Sequence, residues 1–256
     1  MRMGIVIMIL DTQFHHILPM IDLLDSNFWN AQFQSIFHWS MLIPIAVGIY
    51  SLRSHNTEQR KLFFYVVTSF VFEYFSQLKW AIRQFNPETN APFYHFFTPV
   101  LFIFFVGIYQ QFLKDFTSFR VDYFLAIFFI LFSLWNAILG DGILNFPGLS
   151  LGLYAFLMML IAVSFFLKLL TALTVERLEK EPMFWINSGV LIYFSGNFLL
   201  WLTMNYLLKD MNVSYSIFKI SIILGLLLNI LLSIAFVCRP KAVLLPPTRN
   251  QTPHGD

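Results

Sequence analysis

Apolar residues run along this chain in long blocks separated by short polar breaks. Seven blocks lie at about 33–52, 62–82, 93–113, 121–139, 150–174, 183–208 and 214–238. Each meets the roughly 20-residue length that carries a helix across about 30 Å of hydrocarbon. Alternating segments of about ten residues do not recur, so an outer-membrane barrel is not indicated. Lipid offers backbone groups no hydrogen bonds, and each block must satisfy its own as an α-helix. The pattern predicts an all-α polytopic bundle of seven transmembrane helices over 32–238.

The flanks read differently. In 1–31, a short apolar run over Met1–Leu10 lacks the small-residue cleavage site of a signal peptide. Phe14, Ile17, Leu18, Ile21, Leu24 and Phe28 then recur at helical spacing opposite Asp22 and Asp25. Such a face suits a helix lying on the membrane surface. The tail 239–256 holds four prolines and few large apolar residues, and disorder is expected there. Beyond the fifth block, Glu176 and Lys180 form an i,i+4 pair that predicts a helical extension outside the membrane. Pro182 suits the first position of the next helix.

Composition excludes a soluble globule. The chain of 256 residues is 58% apolar and 12% charged, where soluble domains are about a quarter charged. Thirty-two Phe, ten Tyr and six Trp suit lipid-facing surfaces and interfacial belts. The lipid bilayer is the one partner that composition requires. A net charge of +2 directs no other partner, and no nucleic acid is expected. Cys238 is the single cysteine, so no intrachain disulfide can form.

The placement of charge says more than its sum. Arg53, Arg60 and Lys61 follow the first block, Lys114 and Arg120 the third, and Arg177 and Lys180 the fifth. Arg239, Lys241 and Arg249 stand in the tail. The alternate connections hold Arg83 alone, none around Asp141, and Lys209 alone. Basic loops stay on the cytoplasmic side, so the N-terminus is expected outside and the C-terminus in the cytoplasm.

Polar residues inside the blocks mark where chemistry belongs, because an ionisable group in hydrocarbon needs a partner, a proton or water. Glu73 is expected near mid-membrane, one turn before Gln77 on the same face. His38, Tyr94, His95, Thr98, Asn136 and Lys219 fall toward the outer ends of their helices. Together they predict an outward-facing polar cavity with Glu73 at its floor. Lys79 is expected to reach out to the surface, and Asn197 to join helices.

Other chemistries are weighed on the same residues. His38, Glu73 and His95 could give three metal ligands, but they lie on three helices without the i,i+4 spacing of a zinc motif. No metal is expected. Lys219 stands on the last helix, where retinal proteins carry their Schiff base. It lies too near the outer end, and the third block has no acidic counterion. No cofactor is expected.

Ala91-Pro-Phe-Tyr-His-Phe-Phe-Thr98, and Glu181-Pro-Met-Phe-Trp-Ile-Asn-Ser-Gly189 with Tyr193, open the third and sixth blocks. With these stretches the chain resembles a group of small bacterial seven-helix membrane proteins associated with neighbouring sensor histidine kinases. The resemblance implies a bacterial inner (cytoplasmic) membrane, a signalling role and a cytoplasmic or membrane partner such as a histidine kinase. The partner surface would hold Glu176, Arg177, Lys180, Glu181 and Trp185. The first expectation is therefore a sensory protein that is not an enzyme. An ion- or proton-coupled transporter or channel using Glu73 is the alternative, and a lipid-modifying enzyme using His95 or Glu73 comes third.

Overall fold

The computed structural model describes residues 36–77, 89–116, 120–172, 178–207 and 211–239. The surface helix expected within 1–31, Lys79, Arg83, Glu176, Arg177 and the tail from Pro240 lie outside the described residues. So does the side chain of Gln77.

Every regular element among the described residues is helical. In chain order these are α1 (Ile36–Ser54, closing in a 3-10 turn), α2 (Thr57–Gln77), α3 (Ala91–Ile108) and α4 (Gln110–Phe116). Then follow α5 (Val121–Leu139), α6 (Gly148–Ala172), α7 (Pro182–Leu207) and α8 (Met211–Val237). Six of them, α1, α3, α5, α6, α7 and α8, are long and apolar enough to cross a membrane.

The helix α2 corrects the second predicted block. It begins at Thr57 rather than near 62, and it is not among the six. Glu58, Arg60 and Lys61 crowd its first two turns and Glu73 stands near its end, which lowers its hydropathy. The early start has a local cause. The Asn56 side chain accepts from the Gln59 N–H at 2.8 Å, and Gln59 Oε1 accepts from the Asn56 N–H at 2.9 Å. This reciprocal cap satisfies two donors that a bare helix start would leave open. The Gln59 amide also donates to the carbonyls of Ala235 and Cys238 at 2.7 and 3.0 Å. One side chain thus starts α2 and closes α8.

From that end α2 runs back antiparallel to α1, and Glu73 draws level with His38. Around the bundle the packing order is α1, α2, α3, α6, α7, α8 and again α1. Helix α5 packs on α3 and α6 from outside this ring. Its Ile127, Leu131, Leu134 and Ile138 are exposed, as suits side chains whose solvent is lipid. Within lipid, burial of apolar area gives little net drive, so the ring depends on close packing and interhelical hydrogen bonds. Leu62, Phe105, Tyr109, Met158 and Ile186 are fully buried. Tyr109 donates to Asn187 Oδ1 at 2.6 Å, and the Asn187 amide donates to the Ala162 carbonyl at 2.9 Å.

The same end of the bundle gathers Arg53, Arg60, Lys61, Lys114, Arg120, Lys180 and Arg239. Lys61 Nζ donates to the Gly107 carbonyl at 2.7 Å, where α3 gives way to α4 at Tyr109. Most of the predicted helical extension, 173–177, lies outside the described residues. Its end, Leu178–Lys180, is a 3-10 turn before Glu181, where Pro182 disfavours helical backbone. Trp185 Nε1 donates to the Glu179 carbonyl at 2.9 Å and holds the turn against α7. Burial raises the Glu181 carboxyl above its ordinary range.

Candidate functional site

Between α1, α2, α3, α6, α7 and α8 lies a cavity of about 720 Å³, within the range of small-molecule sites. It reaches Asn90, Asn145 and Asn205 at the end of the bundle opposite the basic loops. Tyr65, Tyr154 and Leu232 line its depth, and the packed layer around Phe105 and Tyr109 follows below. Helix α5 contributes nothing to it.

Helix α2 supplies the polar wall. Tyr65, Ser69 and Glu73 are spaced at i, i+4 and i+8, so they line one face over about 12 Å at 1.5 Å per residue, and all three border the cavity. His38 Nε2 on α1 lies 3.1 Å from Glu73 Oε1, close enough to donate its hydrogen to the carboxylate. The two side chains are 24% and 19% exposed, so neither carries the full cost of a buried ion. At the deep end the Tyr65 hydroxyl lies beside those of Ser69 and Tyr154. Ser69 Oγ and Tyr154 OH complete no hydrogen bond of good geometry. Thr98 donates to the Tyr94 carbonyl at 2.7 Å, and both residues line the cavity from α3.

No family model, curated protein or solved structure matches this chain. The site therefore stands on its geometry.

That geometry sorts the sequence-predicted residues into two groups. His38, Glu73, Tyr94 and Thr98 meet at the cavity. Glu73 is on its wall rather than its floor, since Ser69 and Tyr65 on the same face of α2 line it further from the mouth. Sixteen residues separate Thr57 from Glu73, which is about 24 Å of helix rise. His95, Asn136 and Lys219 do not line the cavity. Lys219 is partly buried on α8.

His95 and Asn136 belong to a second polar centre, built on the hairpin between α5 and α6. His95 Nε2 faces the carbonyls of Gly142 and Asn145 at 3.0 and 3.1 Å, so this nitrogen carries the hydrogen. His95 is thus turned from Glu73 and His38, and the three do not converge. The Asn136 amide donates to Asp141 Oδ2 and to Ser150 Oγ, both at 3.0 Å. Asp141 Oδ2 also accepts from the Leu149 N–H at 2.9 Å, and Oδ1 accepts from the Asn205 amide at 3.0 Å. Gly142 turns the chain at φ 84°, a conformation that favours glycine. Gly148 lets α6 approach α7, since a Cβ there would stand 2.6 Å from the Trp201 carbonyl oxygen.

Sequence reasoning missed Tyr65, Ser69 and Tyr154, and it missed Asp141 as a hub. The stripe 65, 69, 73 was open to a helical-face reading. Tyrosines among so many aromatics carry no such signal. Of the expected partner surface, Lys180, Glu181 and Trp185 sit together at the basic end.

Proposed function

We propose that this chain is a seven-span sensory protein of a bacterial inner membrane, with the cavity end outside and the basic end in the cytoplasm. A small molecule enters beside Asn90 and Asn145 and engages the wall carrying His38 and Glu73. Its binding biases the packing of α2 against α1 and α3, and the 3-10 turn at Leu178–Lys180 passes that bias to a partner such as a histidine kinase. One observation carries this reading: a 720 Å³ cavity at the end away from the basic loops, with a closely packed layer beneath it. Helix α2 counts as the seventh span on two supports. Its 21 residues give about 30 Å of rise, and its contacts run from the end of α8 to His38.

The His38–Glu73 pair favours a second function, proton-coupled transport, because such pairs carry protons across membranes. Catalysis has less support, since His95 spends Nε2 on two backbone carbonyls.

The test compares small molecules that co-purify with the wild-type chain and with Leu101→Trp, which fills the cavity. A species retained by the former and lost from the latter is expected, and matching profiles would sink the proposal. Proton uptake into proteoliposomes on adding that species would assign transport instead. Reporter fusions at Asp141 and after Lys241 check the orientation, being active outside and inside respectively.

A further inference from the structure

One buried histidine belongs to neither polar centre. His55 follows α1 at the basic end of the bundle and is 6% exposed. Its ring stacks on Phe236 of α8, with centroids 5.1 Å apart and planes at 21°, and Phe63 of α2 flanks it at 6.5 Å. The Ser51 hydroxyl gives its hydrogen to the Val47 carbonyl at 2.8 Å. Its oxygen is then an acceptor for His55 Nε2, also at 2.8 Å. Nε2 therefore carries the ring hydrogen, and Nδ1 is a bare lone pair. That lone pair is buried and has no hydrogen-bond partner. The charged group that acts on the ring is Arg60 of α2. Burial first, and Arg60 second, push His55 below its ordinary pKa of 6.5.

The ring sits where three helices are joined. Nearby, Gln59 of α2 holds the carbonyls of Ala235 and Cys238 at the end of α8. Cys238 in turn directs Sγ to the Glu179 carbonyl at 3.5 Å, within the 3-10 turn to which output is assigned above. From this we infer that His55 Nδ1 is a proton-binding site whose occupation loosens the joint of α1, α2 and α8. A protonated ring has a second N–H, buried beside a guanidinium and with no acceptor. The face of Phe236 attracts the cation but leaves that N–H unmet. Opening the joint lets water meet it. The open joint thus binds the proton more readily than the closed one. The closed joint is fully favoured above about pH 6.5 and loses ground as the pH falls below it. That the proton comes from the cytoplasm rests on the orientation proposed above.

Cys238, the single cysteine, reports on the joint through its rate of reaction with a maleimide. The rate is read on the purified full chain in lipid nanodiscs from pH 8 to pH 5. His55→Gln and His55→Phe cannot take the proton, and whichever of them retains the wild-type unfolding profile at pH 8 is the comparator. The ratio of wild-type to variant rate at each pH cancels the ionisation of the thiol. It should be near one at pH 8 and rise about fivefold or more by pH 5. A flat or falling ratio overturns the proposal. Arg60→Gln, at an exposed position, removes the neighbouring charge and should reduce the rise at pH 5. An undiminished rise there overturns it too. The ring 15N shifts of the wild-type chain supply a further test, which needs no stable His55 variant. One protonated and one bare nitrogen are expected for His55 at pH 8, and two protonated nitrogens at that pH would overturn the site. Ligand retention at pH 8 does not involve His55, so failure here leaves the cavity standing. Reporter fusions that put the basic end outside overturn the cytoplasmic source alone.

Discussion

Two carboxylates stand toward the same end of the bundle, and they are held in opposite ways. Asp141 accepts three hydrogen bonds on its two oxygens, from Asn136, the Leu149 backbone and Asn205. Those donors are amides, fixed in charge at every ordinary pH, and two of them lie within eight residues of it. Glu73 faces a histidine from another helix at 3.1 Å, and it borders an open volume. The first arrangement fixes a hairpin. The second joins two helices at the wall of a cavity.

Removing Asp141 should be the most damaging change. Asp141→Ala takes a charged acceptor from the Leu149 N–H and from the Asn136 and Asn205 amides, which keep Ser150 Oγ and the Phe146 carbonyl respectively. A loss of at least about 3 kcal/mol is expected, read as a large fall in the unfolding midpoint in detergent. A midpoint within a few degrees of wild type would end the view of Asp141 as a structural hub. Next in size is Gly148→Ala, whose Cβ would clash with the Trp201 carbonyl oxygen at 2.6 Å. Backbone cannot swing aside like a side-chain tip, so a cost of about 1–3 kcal/mol is expected, together with weaker retention of any cavity ligand. Unchanged stability would show that α6 and α7 separate freely at this level. Glu73→Gln should be the mildest for stability. The amide can still accept from His38, the pair is part-exposed, and a change below about 1 kcal/mol is expected. Ligand response should nonetheless be lost. Were Glu73→Gln as destabilising as Asp141→Ala, the contrast between the two carboxylates would collapse.

The helical membrane character was readable from the blocks alone, since nothing but lipid accommodates such a run of Phe, Leu and Ile. Positions with charge inside a block were readable too, which is why Glu73 and His38 stood out. What stayed hidden depends on contacts distant in sequence. The Asn56–Gln59 cap is a local motif, but its bond to the end of α8 spans 176 residues. Missing that cap placed the start of α2 about five residues late. Asn136 and His95 carry polar side chains of the right kind, yet the fold spends them on a neighbouring hairpin. Polarity inside a span shows that a partner exists, and only packing shows whether the partner is protein or ligand.

The ring closes between α1 and α8 through Ser40 with Asn229 at 2.8 Å, and Gln59 of α2 bonds the last turn of α8. Among these helices, α8 is the last to leave the ribosome. Until it inserts, the chamber lacks one wall and the polar groups of α1 and α2 that it satisfies face lipid or the insertion machinery. A chain stalled before α8 leaves the Ser40 hydroxyl and the Gln59 amide without the groups of α8 that they meet in the finished bundle.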